Sequence, residues 1–103
     1  MNWESITTDM LSAMQEQVGK DWPKMKEAAR IFLQQRIERL AKLHELKRSG
    51  SIDEQFFQKR LWEEELLYRS ELNALSISSL AAIRRATKAA FRVLTRSLLN
   101  AIF

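Results

Sequence analysis

Glu63, Glu64 and Glu65 stand in one run with Glu71 one to two helical turns on, and carboxylates so grouped could bridge metal ions between helices. The spacing favours a plainer account. Consecutive residues of a helix point about 100° apart, and Lys59 with Glu63, Arg60 with Glu64 and Glu65 with Arg69 form i, i+4 pairs that explain the charges as a solvated face. His44, the one histidine, has Ala41 three residues before it and Lys47 three after, so neither the Glu-x-x-His pattern of carboxylate di-metal bundles nor a His-x-x-x-His zinc pair is present. It is expected on a helix face near a hairpin end. Gly19 and Gly50 are isolated and cannot build a phosphate-cradling loop. Without cysteine there is neither a disulfide framework nor a thiolate metal site. No nucleophile is matched with a base, and no cofactor fingerprint occurs. The expectation is a protein that is not an enzyme and has no cofactor, with no residue assigned to catalysis or to a metal.

The most distinctive stretch is the last twenty-one residues, "IRRATKAAFRVLTRSLLNAIF". All thirteen acidic residues lie within residues 1–71, together with twelve of the seventeen basic ones, whereas residues 72–103 hold the other five basic residues and no acidic one. On a helix Arg84, Arg85, Lys88, Arg92 and Arg96 project into one sector of about 120°, and Leu80, Ile83, Phe91, Leu94, Leu98 and Ile102 project from the other side. That pattern is a basic amphipathic helix. Its apolar side is expected at an oligomer or partner interface, and its basic side is the candidate contact with an anionic surface, either a membrane or a partner's groove. Nucleic acid is a weaker candidate, because no DNA-binding motif is present and phosphate contacts would leave the apolar side unexplained. Trp3, Trp22, Trp62, Phe32, Phe56, Phe57 and Phe91 could be read as a stacking platform, but most of them fall on apolar stripes and are expected in the core. Phe56 and Phe103 lie off the main stripe and are expected as contact residues.

Positioning these groups requires helices. Two glycines, one proline and 46% apolar residues in a chain of 103 describe one all-α domain with little material for β turns. Trp3, Ile6, Met10 and Met14 recur at three- and four-residue steps and predict a first helix over residues 3–18. Asp21, as a cap, followed by Trp22 and Pro23 predicts the start of a second helix over 22–48, which carries Lys47 and Arg48 in its last turn and Gly50 as its stop. Ser51 or Asp53 can cap a third, over 53–76, and the basic helix follows over 78–103. No glycine or proline separates these last two, yet the apolar stripe rotates by about a quarter turn near "LSISS", residues 75–79. The two segments are one long rod, or two rods joined at serines that can cap or bend a helix.

The short "RSGSID" connection makes the second and third helices an antiparallel hairpin in which facing residue numbers sum to about 101. Arg36, in the middle of the second helix's apolar stripe, is therefore expected to form an ion pair with Glu64 and Glu65. Everything after Ser79 overshoots the second helix. Its apolar side needs a cover from the first helix, from a foldback at Ser76–Ser79 that closes a four-helix bundle, or from another copy of the chain. The small residues Ala82, Ala86, Ala89, Ala90 and Ala101 favour a close helical neighbour. The sequence therefore predicts a small helical assembly or interaction protein, a homo-oligomer associating through its C-terminal amphipathic helix. A peripheral membrane-binding protein using residues 80–103 is the alternative, and nucleic-acid binding and a carboxylate metal bundle stand behind both. The opening "MNWESITTDM" has neither a charged n-region nor an apolar h-region, and no run of about 18 uncharged apolar residues occurs, so the expected location is the cytoplasm.

Overall fold

The structure, a computed structural model, describes the backbone of residues 1–102 and the side chains of residues 1–99. The expectations placed on Ala101, Ile102 and Phe103 as side chains lie outside the described residues. Four helices follow one another: α1 (Trp3–Val18), α2 (Trp22–Arg48), α3 (Glu54–Ala74) and α4 (Leu80–Ile102). The protein is all-α, as the composition requires.

Local chemistry sets the ends. The Asn2 side chain accepts a hydrogen bond from the Ser5 N–H at 3.0 Å and caps α1, while Asp53 accepts from the Phe56 N–H at 2.8 Å and caps α3. Gly19 and Gly50 take positive φ, 66° and 80°, and stop α1 and α2 where a side chain would be strained. Asp21 behaves otherwise than expected. A single 3₁₀ turn, Gly19–Asp21, leads directly into α2, and the Asp21 side chain makes no cap bond to it. Its carboxylate instead accepts a hydrogen bond from the Ser78 hydroxyl at 3.0 Å. The α1–α2 and α3–α4 turns are thereby tied together at one end of the molecule.

The third rod is broken. After Ala74 the chain reverses through Leu75–Ser79, with Ser76 at φ 55°, and Ser79 accepts from the Ala82 N–H at 3.1 Å to start α4. Each helix runs antiparallel to the next, α4 returns to lie against both α3 and α1, and the four close into a bundle with extents of 41 × 22 × 19 Å. At about 1.5 Å per residue, the 27 residues of α2 span the long axis.

The most extensive helix–helix contact is that between α1 and α4. Ala82, Ala86 and Ala90 are buried on the inner side of α4, and side chains this small let two helix backbones approach closely. Ile6, Met10 and Met14 of α1, Met25 and Leu33 of α2, and Leu61, Tyr68 and Leu72 of α3 complete the core with Ile83, Leu94 and Leu98. The Tyr68 hydroxyl donates to the Ala29 carbonyl at 2.8 Å and lies 3.4 Å from the Met14 sulfur, so one buried polar group joins three helices. Burial pushes this phenol well above its ordinary range. Because α4 meets α1 through small residues, Ala90→Leu should overpack the seam and lower stability by about 1–3 kcal/mol in urea unfolding. An unchanged midpoint would mean that the two helices are not tightly seated.

Candidate functional site

The outer side of α4 carries Arg84, Arg85, Lys88, Arg92 and Arg96, all exposed. All six arginines of α2 and α3 reach a carboxylate within 4.0 Å, namely Arg30, Arg36, Arg39, Arg48, Arg60 and Arg69. Among the described residues none of the five α4 cations does so, because α4 has no acidic residue of its own and Glu65, the carboxylate beside them on α3, is engaged by Arg69. Their charge is left to solvent or to a partner.

Beside this row, α3 and α4 leave an open groove of about 540 Å³. Phe91 and Thr95 line it with Lys88, Arg92 and Arg96, and Trp62 and Leu99 contribute apolar surface. Trp62 is 58% exposed, which corrects its expected place in the core. Leu61 and Glu64 hold the inward positions in that turn of α3, so Trp62, one residue on from Leu61, points out between α3 and α4. Glu65, the one carboxylate in the groove among the described residues, is bound by Arg69, whose Nε also donates to the Thr87 hydroxyl of α4 at 2.8 Å. The groove is thus cationic with a tryptophan at its side.

The apolar side of α4 has another occupation. Ile83, Phe91, Leu94 and Leu98, expected at an interface between chains, are buried within the single chain, where the foldback and α1 cover them. Leu80, at the first turn, is 70% exposed. The Ile102 side chain lies outside the described residues.

Arg36 lies where its stripe position implies, with its side chain only 4% exposed. Its Nη2 donates to Glu71 Oε1 at 2.6 Å, and its Nε lies 3.5 Å from Glu64 Oε2 without a hydrogen bond. The guanidinium also sits 5.9 Å from the Tyr68 ring centroid, within cation–π range. Glu64 is held as well by Arg39 at 3.3 Å, whereas Glu65 faces α4 and pairs with Arg69 instead of Arg36. Arg36→Met should cost about 3 kcal/mol in urea unfolding, the low end for breaking a buried pair because Arg39 still reaches Glu64. Arg36→Met combined with Glu64→Leu should cost less than the single change. A double variant less stable than the single one would contradict the pairing.

His44 is buried, its Nε2 has no hydrogen-bond partner, and Trp3 meets the ring edge-on with centroids 6.5 Å apart. Burial lowers its pKa below 6.5; Glu45 opposes this, and Arg48 and the N-terminal amine add to it. A histidine buried neutral binds its proton more readily in the unfolded chain. Its contribution to stability is therefore full above pH 6.5 and is lost as pH falls through the lowered folded value. The melting temperature should drop as pH falls below 6.5 toward the lowered folded value, and His44→Gln should flatten that slope. An identical slope in the variant would show that His44 is not the group responsible. Among the described residues no three His, Cys, Asp or Glu side chains gather where they could hold a metal ion, and Glu63, Glu64, Glu65 and Glu71 are each engaged by an arginine.

Comparison with protein-family models, with curated proteins and with solved structures finds no match to this chain.

Proposed function

We propose that this protein is a non-enzymatic docking module whose folded bundle presents the outer side of α4 to an anionic partner. The observation that carries the reading is the contrast in pairing: the six arginines of α2 and α3 all meet carboxylates, and among the described residues the four arginines of α4, like Lys88, meet none. Five like charges held in one sector attract an extended anion and repel a basic one. Self-association through the apolar side of α4 fits less well, since Ile83, Leu94 and Leu98 are already buried by the chain's own helices. Among the described residues no helix is long and apolar enough to cross a membrane. The absence of cysteine agrees with a reducing cytoplasmic setting.

Immobilised heparin supplies a sulfated polyanion with which to test the reading. Lys88→Gln combined with Arg92→Gln should elute at lower salt than the parent protein, and the log–log salt slope of binding should fall by about one per cation removed. Lys24→Gln combined with Lys26→Gln removes the same charge from exposed positions of α2 and should leave elution near that of the parent. Equal losses from the two pairs would show that only net charge matters, and the α4 face would lose its standing as a site.

A further inference from the structure

We infer that the anionic partner is a lipid bilayer, met by the intact bundle lying on its α3–α4 side. This rests on the docking reading above and adds to it the identity of the surface. The cations of α4 are one half of the argument; what lies beside them is the other. Trp62 and Leu66 are one turn apart on the outer side of α3, Trp62 exposed and Leu66 half-buried, and Leu99 of α4 is 40% exposed across the groove. Lys59, one turn before Trp62, is exposed and unpaired among the described residues. The carboxylates of this region are neutralised, Glu65 by Arg69 and Glu63 by Arg60 at 2.7 Å. The side therefore combines tryptophan and leucine surface with six cations and, among the described residues, no free acid.

Each part of that combination has a place at an anionic bilayer. Lysine and arginine beside the surface are drawn to acidic headgroups, while tryptophan and leucine settle at the boundary between headgroups and acyl chains. From Arg84 to Arg96 the cations run along about 18 Å of helix, and antiparallel α3 and α4 hold them in an elongated face that can lie flat. A nucleic-acid strand would account for the cations and could stack a base on Trp62, but it would leave Leu66 and Leu99 without a role. A released α4 inserting its own apolar stripe would first have to strip Ile83, Leu94 and Leu98 from the core. Docking of the folded bundle needs no such opening.

The test is co-sedimentation of the full chain with vesicles of phosphatidylcholine alone and of phosphatidylcholine mixed with phosphatidylserine, alongside heparin retention. The protein should sediment with the mixed vesicles and not with phosphatidylcholine alone. Lys88→Gln with Arg92→Gln should weaken vesicle binding by about tenfold or more. Trp62→Ser with Leu99→Ser alters exposed positions; it should weaken vesicle binding by a similar factor and leave heparin retention as in the parent protein. Heparin retention that depends on Lys88 and Arg92, without vesicle binding, would overturn the bilayer inference and leave the docking reading standing. Loss of both would overturn both. Vesicle binding indifferent to Trp62 and Leu99, or accompanied by loss of amide protection in α1, would also overturn docking of the folded bundle. Tighter binding to a single-stranded oligonucleotide than to the mixed vesicles would assign the face to nucleic acid instead.

Discussion

The structure turns on the contact between α1 and the apolar side of α4. A helix with one strongly apolar side has to bury it, and here the first helix of the same chain provides the cover. Ala82, Ala86 and Ala90 let the two backbones come close, and the methionines of α1 fill the space that the alanines leave. This contact requires α4 to come back along the bundle, which is why the chain reverses at Leu75–Ser79 and tolerates Ser76 at positive φ. The Asp21–Ser78 hydrogen bond joins this reversal to the turn that begins α2. With its inner side committed to the fold, α4 has only its outer side free for anything else.

Much of this was legible from periodicity. The stripe positions Trp22, Met25, Ala29 and Leu33 are buried on α2, and on α3 Phe57, Leu61, Tyr68 and Leu72 are buried while Leu75, the last of that stripe, is 39% exposed. The facing rule of the hairpin brings Arg36 to Glu64, and the Lys47–Glu54 pair at 3.0 Å obeys the same sum. Other features depend on tertiary geometry that one helix's pattern does not carry. Glu71 reaches Arg36 across the register by side-chain length, and Glu65 turns the other way because α4 brings Thr87 up to Arg69. Most of the aromatics do fall on apolar stripes, but Trp62 stands one residue past the stripe position Leu61, and its outward place depends on where α4 packs beside α3. The apolar side of α4 was visible as a stripe, but its cover was not, since a sequence pattern states that a surface must be buried and not by what.

Charge is divided between two tasks along the same lines. Within the bundle Arg36, Arg39, Glu64 and Glu71 form an ion-pair network between α2 and α3, with Arg36 Nε left without a hydrogen bond, and such a pair is suited to setting register. On α4 the five cations are spread along one face and none pairs with an acid among the described residues, and a tryptophan and a leucine flank them. A helix that needed charge only for solubility could mix both signs. Like charges gathered beside exposed apolar groups are suited to a partner that supplies the opposite charge and a place for those groups.

The most direct measurement is hydrogen exchange along α4 through a dilution series, with the mass in solution followed by light scattering. If α1 of the same chain covers α4, the mass stays at 12.1 kDa and the amides of Ile83–Leu98 remain as protected as those of α2 and α3 at every concentration. A mass that is a multiple of this, with α4 protection lost on dilution, would mean that another copy provides the cover, and the outer side of α4 could no longer be read as the free one.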